Sequence, residues 1–163
     1  NQKWKGNIDG LKALSIVKKE FPDIEIITFG LSETSSMADS LHINNYGAVY
    51  GDSLKKLYCL ADIFVYPSWI EGWGLPPMEA MACGTACVTA NVGGVQDYTI
   101  HDETALVVPP RDPDKIAEAI IALLRDDSKR NKIAKAGYEY IQKFTWDRTV
   151  DQLEEILEEI CRG

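Results

Sequence analysis

Basic residues and histidines are scarce in this sequence. The 17 lysines and arginines are outnumbered by 25 aspartates and glutamates, which gives a formal net charge of −8. A general nucleic-acid binder needs basic surface against phosphates, so this balance argues against a nucleic-acid partner. The 2 histidines, His42 and His101, have no neighbours at the spacing of a metal site or of a nucleophile and its base. We expect neither nucleic acid nor a bound metal.

Cysteines and long apolar runs are also few. The 4 cysteines include Cys83 and Cys87, but no further pair completes the four-ligand spacing of a zinc site. We expect both to be buried free thiols, which fit a reducing, cytoplasmic compartment. No segment has the length of a transmembrane helix or the pattern of a signal peptide. The chain starts at Asn1 without an initiator methionine, and we expect it to be part of a longer protein.

Helix-like and strand-like segments alternate along the whole chain. With short connections, this alternation predicts one α/β domain over residues 1–163, a Rossmann-like parallel sheet with helices on both faces. The predicted strands are Ile24–Phe29, Ala48–Tyr50, Ile63–Tyr66, Ala86–Ala90 and Ala105–Val108. The predicted helices are residues 7–20, 37–41, Asp52 or Ser53 to 60, 76–83, 113–125, 128–144 and 146–161.

Ligands of such sheets bind at the carboxyl ends of the strands, so the loops after the predicted strands should share one rim. The loop after Tyr66 also opens a helix, whose free N–H groups and dipole suit a diphosphate. Gly72 and Gly74 allow the backbone to approach a ligand closely. Glu71 and Glu79 could both reach this rim. From residue types alone, they could equally be solvated surface charges.

The segment from Ser68 to Gly84, SWIEGWGLPPMEAMACG, resembles a known motif of two glutamates separated by seven residues. The motif is typical of GT-B glycosyltransferases of the group 1 (family four) type. The resemblance covers essentially the whole chain, through LYCLADIFVYPS before the motif and GTACVTA and ALVVPPRDP after it. It implies the C-terminal, donor-binding half of a GT-B fold. The first strand of that half and the N-terminal acceptor domain would then lie outside this chain.

The resemblance also implies a role for each site residue. Glu71 would contact the hexose of the donor, and Lys5 would neutralise the diphosphate leaving group, which makes these two the candidate catalytic residues. Glu79 would bind the ribose hydroxyls, since a carboxylate accepts from two vicinal hydroxyls. The remaining candidate donor-binding residues are Gly72, Trp73, Gly74, Leu75, Gly30, Tyr46, Gly47, Ala48 and Val49.

The implied activity is retaining transfer of a hexose, mannose or glucose, from a nucleotide-diphosphate sugar to a glycan or lipid-linked acceptor. No cofactor or metal is implied, because basic residues can stabilise the leaving group. The resemblance implies that the partner of this chain is the N-terminal domain of the same enzyme. That domain would bring the enzyme to the inner face of the membrane. The last predicted helix carries an apolar stripe, which would pack on this domain or on that partner domain.

Three other readings stay open at this point. A non-catalytic nucleotide-sugar-binding or regulatory module would share the fold, although it would have no chemical need for Lys5, Glu71 and Glu79 together. A flavodoxin-like or receiver domain shares the alternating pattern, but Asp62 precedes its strand, whereas a receiver needs an aspartate at a strand end. A glycoside phosphorylase or epimerase of similar fold remains possible among enzymes.

Overall fold

The computed structural model of the protein describes residues 3–30 and 40–162. Its helices are α1 Asn7–Glu20, α2 Gly51–Leu60, α3 Leu75–Ala82, α4 Pro113–Arg125, α5 Asp127–Ile141 and α6 Trp146–Arg162. Its strands are β1 Ile26–Thr28, β2 Ile43–Asn45, β3 Ile63–Tyr66, β4 Ala86–Ala90 and β5 Leu106–Val108. Two short 3₁₀ turns, Lys3–Lys5 and Gly93–Asp97, complete the elements.

All the pairings between these strands are parallel, which confirms the predicted α/β class. Strands β3, β4 and β5 form one sheet in that order, and β1 pairs with β2 in a second, two-stranded sheet. Strand β4 lies in the middle of the larger sheet, and all five of its residues are buried. An apolar strand without polar alternation is typical of such a position, since helices cover both of its faces.

The two faces of the larger sheet carry different cores. Ala86 and Val88 of β4 pack with α1 and α4, where Ile116, Ile120 and Leu123 are almost completely buried. Cys87 points the other way, into a cluster that contains side chains of α2 and α3. This alternation follows from the period of two along a strand, and it confirms helices on both faces.

One predicted strand was wrong. The run Ala48–Tyr50 is not a strand; residues 43–45 pair with β1 instead, with Ile43 opposite Ile26. The chain then turns at Gly47, whose φ of 64° is a backbone conformation that favours glycine. Tyr50, after this turn, is 77% exposed. The apolar run after this turn therefore has no neighbouring strand to pair with in the described residues.

Other differences concern ends of elements. Helix α2 begins at Gly51, with Tyr50 as N-cap and no side-chain cap, so neither Asp52 nor Ser53 caps it. Helix α5 ends at Ile141, three residues before the predicted end, because Lys143 and Phe144 continue in tight turns. The helix predicted over residues 37–41 falls mostly on residues 31–39, outside the described part of the chain.

The cysteines are free, but the prediction that Cys83 is buried was wrong. Cys87 is buried within β4, whereas Cys83 is the C-cap of α3 and stays partly exposed. Burial raises the pKa of the Cys87 thiol, and burial together with the neighbouring Cys59 raises the pKa of Cys83 to about 11. Both are therefore thiols, not thiolates, at neutral pH.

Helix α6 is the one strongly amphipathic helix that the described residues leave uncovered. Its apolar stripe is exposed, with Trp146 at 85%, Leu157 at 51% and Ile160 at 70% exposure. None of its residues is buried, so of the two predicted positions for this stripe, packing on this domain was wrong. None of the helices in residues 3–30 and 40–162 has the length and apolar character needed to cross a membrane.

Candidate functional site

The segment before α1 lies against the loop that follows β3. We call that loop, residues 67–74, the motif loop. Gly6 has a φ of 67°, and a Cβ there would come within 1.9 Å of the Pro67 carbonyl oxygen, so only glycine allows this approach. The backbone of Trp4 accepts a hydrogen bond from Trp69 N, 2.7 Å away. This contact brings Lys5, 66 positions away in sequence, to Glu71.

Glu71 is the centre of a hydrogen-bond network in the motif loop. Its Oε1 accepts from Lys5 Nζ at 2.6 Å, from Ser68 Oγ at 2.8 Å and from the hydroxyl of Tyr66. The side chain of Glu71 is only 12% exposed. Burial by itself would raise its pKa, but these three donors and the charge of Lys5 outweigh burial and hold the pKa below its usual value. Glu71 is therefore a fixed carboxylate at neutral pH.

Glu79 lies on α3, about one turn after the helix begins at Leu75. Its Oε2 accepts a hydrogen bond from the hydroxyl of Tyr58 at 3.0 Å. Tyr58 belongs to α2 and is 2% exposed, whereas Glu79 itself is exposed. The carboxylate of Glu79 is thus open to solvent on one side and held by a buried phenol on the other.

The start of α3 completes this part of the rim. Gly74 is the N-cap with a φ of 80°, and Pro76 and Pro77 occupy the first turn after Leu75. The prolines have no N–H groups, so Leu75 carries the main free amide at this end of the helix. The hydroxyl of Tyr98 donates a hydrogen bond to the Gly74 carbonyl and so holds the backbone turn at the start of α3.

A second glycine pair supports the motif loop. A Cβ on Gly93 would come within 1.9 Å of the Glu71 carbonyl oxygen, and one on Gly94 within 2.6 Å of the Gly72 oxygen. Gly94 N donates to that same Gly72 oxygen at 2.8 Å. The turn at Gly93 and Gly94 therefore packs in direct contact with the backbone of Glu71 and Gly72.

The remaining predicted residues lie on the same rim, on the loops after β1 and β2. Gly30 N donates to the Gly47 carbonyl at 2.6 Å, so the loop of Tyr46, Gly47, Ala48 and Val49 lies beside Gly30. The ring of Phe29 contacts that of Tyr58 edge to face, with centroids 5.5 Å apart. Through Phe29, this part of the rim adjoins the phenol that holds Glu79.

The described residues contain no group of three or more His, Cys, Asp or Glu side chains placed to hold a metal ion. The sequence profile of the family described as "Glycosyl transferases group 1" matches residues 2–140. The chain belongs to this family. Its parallel strands flanked by helices match GT-B glycosyltransferase domains of known structure.

Relatives within the glycosyl transferases group 1 family differ in their named substrates. The chain is 38% identical over 103 residues to the D-inositol 3-phosphate glycosyltransferase of Salinispora tropica, covering 63% of this chain and 21% of that protein. It is 37% identical over 110 residues to the O-antigen chain mannosyltransferase B of Escherichia coli, covering 68% and 28%. The matched region thus spans less than a third of either relative.

Two solved structures show the extent of the similarity. The C-terminal domain of a glycosyl transferase group 1 family protein from Francisella tularensis matches with a TM-score of 0.75 and 26% identity, over 88% of this chain and 80% of that one. HepE of Anabaena, solved in complex with UDP-glucose, shares the fold with a TM-score of 0.81 and 22% identity, over 98% and 46%.

The sequence did not indicate which residues hold the two motif glutamates in this family member. Tyr58, Tyr66 and Ser68 make those contacts, and Gly93 with Gly94 shapes the backbone beneath Glu71. Trp73 was predicted at the donor site; its ring contacts those of Tyr98 and Phe144, and the residue stays 41% exposed. In a sequence, a tyrosine within an apolar run is indistinguishable from an ordinary core residue. Only the side-chain contacts show that Tyr58 and Tyr66 bind the two glutamates.

Proposed function

We propose that this chain is the donor-binding domain of a retaining hexosyltransferase that uses a nucleotide-diphosphate hexose. One observation carries the proposal. Lys5 and Glu71, from distant parts of the chain, form an ion pair of 2.6 Å on the rim where α3 begins. A cation for a diphosphate and a carboxylate for a sugar thus stand side by side at a helix N-terminus.

Both members of this pair keep capacity for a ligand. An ammonium group has three N–H donors, and Lys5 uses two of them on Tyr66 and Glu71. Glu71 accepts all its bonds from described residues on Oε1, so Oε2 can accept from hexose hydroxyls. We assign Glu79 to the ribose hydroxyls, and the backbone around Gly74 and Leu75 to the diphosphate.

The chemistry we propose is stabilisation of charge on the departing nucleoside diphosphate. Lys5 and the N-terminal end of α3 would supply positive potential at the leaving group, so the transfer would need no metal ion. The donor hexose would be mannose or glucose, transferred with retention to a glycan or lipid-linked acceptor. We propose a cytoplasmic location, at the inner face of the membrane for the longer enzyme; the free cysteines fit this compartment.

Isothermal titration calorimetry of the chain tests the proposal. UDP, GDP and ADP are titrated first, followed by UDP-glucose, GDP-mannose and ADP-glucose. We expect one nucleotide series to bind, and Glu79→Ala to weaken it about 10- to 100-fold, the value of a hydrogen bond to a charged group. Glu71→Ala should weaken the hexose conjugate and leave the free nucleotide nearly unchanged.

The matched control is Glu154→Ala, which removes a carboxylate from exposed α6. It should bind like the unmodified chain. Absence of binding for all three nucleotides would refute the proposal, and equal losses in Glu79→Ala and Glu154→Ala would refute the site.

A further inference from the structure

A row of aromatic rings lies directly beneath the two motif glutamates. Tyr58 contacts Phe64 edge to face with centroids 5.3 Å apart, and Phe64 stacks on Tyr66 at 6.2 Å. Phe29 packs on both Tyr58 and Phe64. The two tyrosines are nearly completely buried, at 2% and 7% exposure. Each end of the row carries one hydroxyl, and each hydroxyl meets one glutamate.

We propose that Tyr66 and Tyr58 are positioning residues for the donor, Tyr66 through Glu71 for the hexose and Tyr58 through Glu79 for the ribose. This inference rests on the proposed function, since it assigns a separate support to each half of the donor. The aromatic row fixes the distance between the two hydroxyls and thereby the distance between the two carboxylates.

Tyr66 connects both members of the ion pair. Its hydroxyl donates to Glu71 Oε1 and accepts from Lys5 Nζ at 3.3 Å. A phenol has one proton to give and lone pairs to receive, so it satisfies a carboxylate and an ammonium at once. Burial and the adjacent Glu71 raise the pKa of Tyr66, so the hydroxyl keeps its proton at neutral pH. Because Oε1 is thus occupied, we assign Oε2 to the ligand.

Tyr58 holds Glu79 from the opposite end of the row. Glu79 is an exposed residue on a short helix, and Tyr58 is its hydrogen-bond partner among the described residues. The phenol is itself fixed, because the carbonyl of Tyr58 accepts from Thr85 Oγ1 at 2.7 Å and the ring is buried. Without the hydroxyl, the glutamate side chain would lose its fixed rotamer and would pay more conformational entropy when it binds a ribose.

The two hydroxyls can be removed without a change of shape, since phenylalanine keeps the ring. Thermal unfolding first verifies that Tyr66→Phe and Tyr58→Phe remain folded. Calorimetry then uses UDP, GDP and ADP, their 2′,3′-dideoxy counterparts, and UDP-glucose, GDP-mannose and ADP-glucose. The matched control is Tyr140→Phe, which removes the hydroxyl of a partly buried tyrosine that contacts Phe144 and is not among the residues bonded to Glu71 or Glu79.

We expect a crossed result. Tyr58→Phe should weaken the ribonucleotide about three- to tenfold and leave its dideoxy counterpart unchanged. Tyr66→Phe should weaken the hexose conjugate by a similar factor and change the free nucleotide less than about twofold. Adding Tyr58→Phe to Glu79→Ala should cause no further loss, because both changes remove the same interaction.

Two results would overturn the inference while the proposed function stands. One is unchanged binding in both variants. The other is an equal loss for both ligands of a pair, ribonucleotide and dideoxynucleotide in Tyr58→Phe or conjugate and free nucleotide in Tyr66→Phe. Such an equal loss would mean that the tyrosine only packs in the core and does not position a glutamate. If the unmodified chain binds no nucleotide at all, the proposed function fails and this inference fails with it.

Discussion

At the scale of single residues, Glu71 concentrates its hydrogen bonds on one oxygen. Lys5, Ser68 and Tyr66 all donate to Oε1. Such a carboxylate is fixed before a ligand arrives, so binding would not have to restrict it again. The same contacts lower its pKa, and this has a consequence for the pH dependence of the site.

We expect the affinity for the hexose conjugate to stay constant from pH 7 to pH 5. A carboxyl whose pKa is lowered on folding contributes stability above its unfolded pKa, about 4.3 for glutamate, and loses it as the pH falls through the folded pKa. Glu71 therefore stays ionised throughout this window. Calorimetry with the hexose conjugate at pH 7, 6 and 5 measures this affinity, with the Glu71→Gln variant as the reference; an affinity that falls steadily towards the Glu71→Gln value would contradict the expectation.

Gly93 supports Glu71 through its lack of a side chain. We expect Gly93→Ala to lower the free energy of unfolding substantially more than Gly84→Ala. Both residues have positive φ values, 48° and 76°, so both variants share the strain of about 1 kcal/mol expected there. Only Gly93 also has a backbone atom in the way, because nothing lies within 4 Å of a Cβ at Gly84.

Urea denaturation of the two variants separates these contributions. Equal losses would mean that the motif loop moves away at no cost. In that case, the turn at Gly93 would not hold the backbone of Glu71 in place.

At the scale of elements, α6 differs from the other helices of the described residues in having no buried residue. Its first turn begins at Trp146, and its apolar side chains project away from both core clusters. Helix α4 has the same kind of stripe, yet α1 and β4 cover it. Because burial and not pattern stabilises a helix, the two stripes should respond differently to the same substitution.

We expect Leu157→Ala to change the free energy of unfolding by less than about 0.5 kcal/mol, as exposed positions do. Leu123→Ala, on α4, should cost about 2–5 kcal/mol, since Leu123 is fully buried. Denaturation at several protein concentrations measures both. A large, concentration-dependent loss for Leu157→Ala would show that α6 packs against a second copy of the chain.

At the scale of the whole molecule, the chain carries one rim with a cation, two carboxylates and a helix start. The relatives it matches are several times longer than the matched region. Their names point to different acceptors, an inositol phosphate and an O-antigen chain, while the matched region is common to both. The donor-binding role of the chain remains our proposal.

We expect the chain to bind its nucleotide but to transfer no sugar, and the longer enzyme to transfer hexose with retention. Anomeric signals of the product in proton NMR report the stereochemistry, and addition of EDTA should leave the rate unchanged because Lys5 supplies the positive charge. Robust transfer by the chain alone, or an inverted product, would contradict this. Binding without transfer by the longer enzyme would favour a non-catalytic module.

Much of the fold could be predicted because the signals are local. The limits of α1, α4, β3 and β4 follow from helical periodicity, from Pro113 after the capping Asp112, and from continuous apolar runs. The strand at residues 43–45 could not be predicted, because two of its three residues are asparagines and only pairing with β1 makes it a strand.

By itself, the sequence determined the α/β class and the family, and it fixed the spacing of Glu71 and Glu79, because periodicity and residue spacing are written along the chain. The tertiary structure alone decided what holds those glutamates. Lys5 reaches Glu71 because Gly6 lets two backbones touch, and each glutamate has its own tyrosine because an aromatic row spans β3 and α2. Such contacts join residues far apart in sequence, and no local pattern encodes a distance in space.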